Sequence, residues 1–598
     1  MLKLMSLEKK TILYLAISFS CFRLWSIPAC PHRFEYIQPN KSTIQYLLKG
    51  DEFFNLKTTL DGIPIAKDTN NYLCYASIDE SGQIYCSNHI AHNIENRTAE
   101  EKLFITNYLS NISINKIKGL CKSFRLIGST NTLHKSIPNK GKPKTLVILA
   151  NFSDLSFIIP NPQIAFNNLL NQKGYSDNGA TGSVFDYFND NSSGQFQPIF
   201  DVIGPITLPN NMDFYGSNNS FGRDINVKQM IIDACNITST NGIDLSIYDT
   251  DKDGYIDNIF VFYAGYNEAE GGSSNSIWSQ SSTISNSPLF NGVKIGEFCC
   301  TSELKFQSGS NICGIGPFCH EYGHLLGLPD YYDTNNKSHH TVSSWSIMDL
   351  GSFLNQNMTP PSLSAWDRYF LNWHTPSIIN SNGTYILDTL SSKNTSFLLS
   401  PSSNGFPSTN EFFMLENRQK NGWDTFLPGH GMLITHIVYN QNDWNLNTVN
   451  NDSLAMGVDI IEADQIGSSS TLTGDTYPGS DNITSFVPIL RNGTMMNQSI
   501  NNIKEVNGKI SFMIGNENGM ESPLINNQLD FIDINSLSNN SISIDLPNPN
   551  MCIQLFDISG QLILNKNTTS KHCVIDHLEH NKIYILKADQ FNSRFSIK

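Results

Sequence analysis

Hydrophobic positions change their spacing several times along this chain, and each change marks a different kind of element. Between residues 33 and 105, short apolar runs alternate with polar positions and are broken by Gly50-Asp51 and Asp61-Gly62, the pattern of β-hairpins. A charged helix is predicted over 98–109. Residues 110–143 are rich in Lys, Ser and Asn and end in Pro138-Asn139-Lys140-Gly141-Lys142-Pro143, an exposed connector at a domain boundary. The run 145–152, Thr-Leu-Val-Ile-Leu-Ala-Asn-Phe, is almost continuously apolar and predicts a strand buried on both faces. Helical spacing follows at 183–188. It returns at 224–235, where Val227, Met230, Ile231 and Ala234 share one face. A second buried strand is predicted at 258–263. After Trp373 short alternating runs continue to about residue 514 and predict a β-sandwich or barrel. Residues 515–530 are polar and linker-like, and the rest of the chain returns to short strands. No short internal repeat occurs.

The amino terminus adds an export signal. Lys3, Lys9 and Lys10 precede an apolar run over 11–22 that is too short to span a bilayer. Small residues at Ser26 and Ala29 predict cleavage after Ala29, although Arg23 interrupts the pattern. A retained signal anchor and a lipoprotein-type site at Cys30 are the alternatives. No later stretch of the sequence is long and apolar enough to span a membrane.

Composition narrows the class further. A length of 598 residues leaves room for three to five domains. Only 16% of residues are charged, and polarity comes from Asn, Ser and Thr, as in loop-rich exported β proteins. Thirty-nine Lys and Arg against 54 Asp and Glu give a net charge of −15. That balance lacks the basic footprint of a nucleic-acid binder. Twelve cysteines are too few for a disulfide scaffold of this length. Cys74/Cys86, Cys313/Cys319 and Cys552/Cys573 are near pairs able to bridge in an oxidising compartment.

The candidate chemistry lies in Gly316-Pro317-Phe318-Cys319-His320-Glu321-Tyr322-Gly323-His324-Leu325-Leu326-Gly327-Leu328-Pro329-Asp330, which contains HExxH. Helix residues four apart share a face, so His320 and His324 aim two imidazoles at one point, as zinc requires. Glu321 is placed to act as general base on a metal-activated water. A catalytic zinc needs a third protein ligand. One class of enzymes takes a Glu from a second helix, but no Glu occurs between Glu321 and Glu411. The other class ends the helix at a glycine and swings back. Gly327 permits that turn, and Asp330 is then the third ligand, with Asp333 as its rival. Ser344-Trp345-Ser346-Ile347-Met348-Asp349-Leu350-Gly351 supplies Met348 for the methionine turn expected beneath such a metal. The competing reading is a surface helix with two satisfied histidines.

A second acidic motif, Asp249-Thr250-Asp251-Lys252-Asp253-Gly254-Tyr255-Ile256-Asp257, spaces carboxylates alternately around a glycine, as hard-cation loops do. Asp249, Asp251, Asp253, Tyr255 and Asp257 are the candidate calcium ligands. Phe260 stands where an EF-hand would carry its Glu. The alternative is an Asx-rich turn that feeds the next strand.

With these residues in view, the chain resembles the immune inhibitor A family of secreted bacterial zinc metalloproteases, which are metzincin-like. The likeness extends to Gly50-Asp51-Glu52-Phe53-Phe54, Gly182-Ser183-Val184-Phe185-Asp186-Tyr187-Phe188, Asn191-Ser192-Ser193-Gly194-Gln195-Phe196 and Leu427-Pro428-Gly429-His430-Gly431. It covers about residues 33–515. It implies peptide-bond hydrolysis with Glu321 as base, zinc on His320, His324 and Asp330, and a zymogen whose pro-region blocks the cleft. Cys121 is a conceivable blocker. The tail, with Ile553-Gln554-Leu555-Phe556-Asp557-Ile558-Ser559-Gly560, resembles a type IX secretion sorting domain. An ordinary accessory sandwich is the alternative for the tail.

The expected fold class is multidomain α+β, a metzincin-like α/β zinc metalloprotease domain flanked by an N-terminal β-rich pro-domain and C-terminal β-sandwich domains. The expected segments are signal peptide 1–29, pro-region and linker 30–140, catalytic domain 141–375, β-sandwich 376–515, linker 516–530 and sorting domain 531–598. The expected cofactors are zinc and a structural calcium. The expected partners are protein substrates and the secretion machinery, for a monomer that is secreted or held at the cell surface. A non-catalytic surface module that keeps this fold is the second hypothesis, and zinc hydrolysis of something other than protein is the third.

Overall fold

The computed structural model describes residues 24–25, 27–52, 55–78, 84–111, 137–219, 222–284, 286–307, 309–335, 339–402 and 404–515, together with 533–537, 541–546, 549, 551–557, 562–576, 578, 583–588 and 591–596. Most of the predicted signal, most of the 110–143 connector with Cys121, and nearly all of the 515–530 linker lie outside the described residues. The chain divides into two units, Met1–Asn516 and Glu517–Lys598.

The first unit is built on a six-stranded mixed sheet. Its centre is parallel: Ile259–Tyr266 pairs with Glu297–Leu304 on one side and with Lys144–Asn151 on the other, and Ile199–Thr207 follows Lys144–Asn151. Lys144–Asn151 is buried over its middle six residues, as its unbroken apolar run requires. Gln280–Thr283 runs antiparallel beside Glu297–Leu304, and Leu24–Trp25 forms the outer edge beyond it. Helix Val184–Asn191 starts at Ser183, whose hydroxyl and Asp186 form a reciprocal capping box. Helix Val227–Thr240 buries Val227, Met230, Ile231 and Ala234, the face that the spacing predicts.

Helix Ile315–Leu325 is buried along its whole length. Phe318 stacks on Phe260 at 4.0 Å between ring centres and lies 5.8 Å from Phe262, which fixes the helix on the sheet. Phe318→Ala would cost about 3–5 kcal/mol.

Residues Phe34–Ile90 form a six-stranded antiparallel meander whose strands pair in chain order. Thr98 and Glu101 cap the following helix, Ala99–Asn111, each accepting the other's backbone N–H. Beyond Trp373 lie a five-stranded sheet around Glu411–Arg418 and Gly431–Val438, and a three-stranded sheet of Gly383–Leu387, Ile500–Val506 and Lys509–Ile514. Phe413, Leu415, Ile434, Ile510 and Phe512 form one core between them. Arg418 is fully buried and held by Glu416 and Asp424 at 3.0 and 2.7 Å. It also donates to the carbonyl of Ser362, tying this region to the helix-bearing one.

Among its described residues the second unit has a three-stranded and a four-stranded sheet. Ile542 and Ile544 of one share a core with Ile553, Leu555 and Leu586 of the other.

No disulfide joins any of the ten cysteines among the described residues, so the three near pairs are not bridged. Cys74 faces Ile90 while Cys86 faces Ala76, so the strand register does not set these two cysteines directly opposite each other. Among the described residues no helix is long and apolar enough to cross a membrane.

Candidate metal centre and active site

The helix carrying HExxH ends as a left-handed turn requires. Gly327 has φ 97°, and the Leu328 N–H returns to the Gly323 carbonyl. The chain then brings Asp330 back to the two imidazoles. His320 and His324 each direct Nδ1 at a backbone carbonyl, Ile347 at 2.7 Å and Leu328 at 2.8 Å. These bonds turn both Nε2 atoms inward to a separation of 3.2 Å. Asp330 Oδ1 lies 3.2 Å from His320 Nε2 and 3.4 Å from His324 Nε2.

This triangle has the dimensions of a metal site. Zinc bonds to nitrogen and oxygen of about 2.0–2.2 Å place tetrahedral ligands about 3.3–3.6 Å apart. Asp330 Oδ1 and Glu321 Oε2 are buried and have no hydrogen-bond partner, a costly state that a cation and its water would relieve. Burial alone would raise the Asp330 carboxyl, but the facing His324 and His320 outweigh it and hold it below the usual carboxylate range. Burial holds His324 below its ordinary value, and a neutral imidazole is what a metal needs. The residues present therefore fit a zinc ion.

Two supports of the triangle carry no sequence signal. Asn447, 117 residues downstream, donates from Nδ2 to Asp330 Oδ2 and accepts the Asp330 N–H at its Oδ1, both within 2.7 Å. Ile347, the partner of His320, precedes Met348. Met348 is fully buried, and a Cβ placed on Gly323 would come within 2.8 Å of its sulfur. The methionine thus packs under the helix between the two histidines, and its carbonyl accepts the Tyr331 N–H. Asp333 faces away from the trio. Its Oδ1 accepts the Asn335 N–H and its Oδ2 lies 3.4 Å from His339 Nδ1.

The amino-terminal segment enters this site. Leu24–Trp25 pairs antiparallel with Ser281–Ser282 and so satisfies the outer backbone groups of that strand. Ile27 then donates its N–H to Glu321 Oε1 at 2.9 Å, and the Trp278 indole donates to the Ile27 carbonyl at 3.0 Å. Ile27, Ala29 and Cys30 are buried. Residues that the sequence assigns to the end of a removable signal, and to a lipid-bearing Cys30, are thus packed inside the unit. Burial raises the Glu321 carboxyl well above its ordinary value. The Ile27 N–H opposes this, while Asp330 and Glu52 add to it.

In the acidic loop, Asp249, Asp251 and Asp257 bring carboxylate oxygens within 4.8 Å of one another. Asp253 does not join them. Its N–H bonds Asp249 and Asp251, and its Oδ1 accepts the Tyr255 N–H. Tyr255 lies in the short strand paired with Lys294–Ile295.

Residues 135–376 match the family model of the immune inhibitor A peptidase M6 catalytic domain. The metal triangle, Glu321 and the acidic loop all lie inside this M6 segment. Immune inhibitor A of Bacillus thuringiensis subsp. alesti is 26% identical over 276 residues, 38% of this chain and 39% of that protein. Pre-pro-metalloprotease PrtV of Vibrio cholerae serotype O1 (strain M66-2) is 27% identical over 234 residues, 33% of this chain and 25% of PrtV. The chain thus spans well under half the length of either relative. Peptidase M6 proteins are metallopeptidases, so the family match itself implies a metal ion.

Proposed function

We propose that this protein is a secreted, metzincin-like zinc endopeptidase made as a latent zymogen. The observation that carries the reading is the buried triangle of His320, His324 and Asp330, with ligand atoms 3.2–3.4 Å apart and Glu321 beside it. Bound zinc would polarise the scissile carbonyl and lower the pKa of a water. Glu321 takes the proton of that water and delivers it to the leaving nitrogen. The carbonyls of Ile347 and Leu328 keep the imidazoles in the tautomer that leaves Nε2 for the metal, and Asn447 holds Asp330. Met348 supplies the floor.

Latency follows from the path of the amino-terminal segment in a chain that keeps residues 24–27, that is, one not cut after Ala29. Ile27 N occupies the place of a leaving amide nitrogen on Glu321, and Leu24–Trp25 takes the sheet edge that an extended substrate would use. The acidic loop with Asp249, Asp251 and Asp257 fits a structural calcium. The second unit, two small sheets around one core, fits a sorting domain read by type IX secretion machinery, which would make the mature enzyme a secreted or surface-held monomer acting on proteins.

The test is Glu321→Gln in the processed enzyme. Zinc content and fold should persist while casein cleavage disappears. Cleavage at the wild-type rate would overturn the mechanism, and activity that survives phenanthroline would overturn the zinc.

A further inference from the structure

The amino-terminal segment is held over the cleft through its backbone, and one of the groups that hold it is a side chain outside the metal centre. Leu24 pairs with Ser282 and Trp25 with Ser281, so the segment advances along this strand toward Trp278. Ile27 then makes two bonds at once. Its N–H reaches Glu321 Oε1 at 2.9 Å, and its carbonyl accepts the Trp278 indole N–H at 3.0 Å. Farther on, the Cys30 N–H bonds the Ala269 carbonyl at 2.9 Å.

The indole is positioned by groups that do not belong to the segment. The Trp278 backbone N–H bonds Asp224 Oδ2 at 2.9 Å. Gln280 Nε2 donates to the same oxygen at 3.1 Å and to the Trp278 carbonyl at 3.3 Å. One residue earlier, the Ile277 carbonyl accepts the Tyr263 hydroxyl at 2.6 Å and the Glu268 N–H at 3.1 Å. Trp278 is 1% exposed and shares an apolar cluster with Ile27, Ala269 and Phe353. When the segment leaves, the indole N–H gives up the Ile27 carbonyl and is left at the rim of the cleft. A donor held in place there costs little to use when the next chain arrives.

We propose that Trp278 is a substrate-binding residue, whose indole N–H donates to the carbonyl of the residue that follows the cut. The inference rests on the peptidase reading, in which Ile27 N stands for the leaving nitrogen. Both contacts of the segment belong to that single residue. An extended residue laid in the same direction, with its nitrogen at Glu321, sets its own carbonyl at the indole whatever its side chain. The bond therefore adds affinity and register without selecting a sequence.

The experiment uses the processed enzyme and two peptides that differ at one bond. In the second peptide the amide that follows the first residue after the cut is replaced by a trans alkene, which keeps the extended shape and removes that carbonyl. Pro28 has no N–H, so the alkene takes away no other bond that the segment makes there. Wild type should cleave the amide peptide with kcat/KM about fivefold higher, the size of one neutral hydrogen bond. The difference should fall mostly in KM, because the contact is made equally in ground and transition states. Trp278→Phe should lower kcat/KM on the amide peptide by about fivefold, leave the alkene peptide unchanged and bring the ratio close to one. If that variant does not fold, replacing Trp278 with benzothienylalanine removes the N–H within the same ring outline. A ratio near one in the wild type, or an equal fall on both peptides in the variant, would overturn the role of Trp278. Failure of the wild type to cut either peptide would instead overturn the peptidase reading on which it rests.

Discussion

The two clusters of metal-ligand side chains within residues 135–376 make an instructive pair. His320, His324 and Asp330 are buried at 0%, 3% and 1% exposure, and each has its other polar atom held by a partner outside the trio. Asp249, Asp251 and Asp257 are half-buried, exposed and buried in turn. Their hydrogen bonds run to backbone and side-chain groups of the same nine-residue loop. The first cluster is assembled by a helix, a returning turn and a distant loop. The second is made by one turn of chain. A site fixed from several elements is rigid before its ion arrives. A set of carboxylates carried by one loop is held only by that loop's own hydrogen bonds.

The comparison can be broken most severely at Glu321. Glu321→Gln should lower casein cleavage by about 100- to 10,000-fold with zinc still bound at one equivalent, measured by initial rates and metal analysis. Loss of the metal as well would mean that Glu321 shapes the first cluster rather than serving it. Next comes Asn447→Ala. It touches no metal, yet it frees both Asp330 Oδ2 and the Asp330 N–H. Zinc affinity or activity should fall about 10–100-fold, read by titration with a competing chelator. An unchanged affinity would show that Asp330 needs no external clamp.

A smaller effect is expected in the loop. Asp257→Asn should abolish the melting-temperature rise that calcium gives, a few degrees at most, and leave zinc content and kcat within about twofold. A loss of zinc from this variant would deny that the clusters are independent. The smallest effect concerns buried carboxylates with no ion at all. Burial raises Asp459 and Asp475 to about 7, against 3.8 in a free chain. The folded form keeps protons that the unfolded chain releases, so the stability these groups give is complete below about pH 4 and is lost as pH rises through 7. Asp475→Asn retains an acceptor for the Trp345 indole, which now bonds Asp475 at 2.7 Å. It should lessen the fall in melting temperature between pH 5 and 8 by about 1–3 °C.

What was legible in the sequence follows from range. Helix Val227–Thr240 and strand Lys144–Asn151 lie where the periodicity places them, because burial of one helix face or of a whole strand writes itself into consecutive residues. The meander of residues 34–90 was likewise visible as short runs between turns, with Asp61-Gly62 joining Asn55–Thr59 to Pro64–Lys67. In the calcium-type loop five ligands are expected from spacing; Asp249, Asp251 and Asp257 bring their carboxylates together, while Asp253 Oδ1 accepts the Tyr255 N–H. Neither Asn447 nor Trp278 belongs to a local pattern. Asn447 matters through two bonds to Asp330 and Trp278 through one to Ile27, partners more than a hundred positions away.

By itself, then, the sequence determined which atoms can meet a metal. Four residues of helix put His320 and His324 on one face, and Gly327 lets the chain return with Asp330. The tertiary structure decided how those atoms are aimed and what covers them. The carbonyls of Ile347 and Leu328 choose the imidazole nitrogens, Asn447 fixes the carboxylate, and Ile27 lies across Glu321. Helix geometry is a property of neighbouring residues, whereas aiming and covering a site depend on which distant surfaces the folded chain brings into contact.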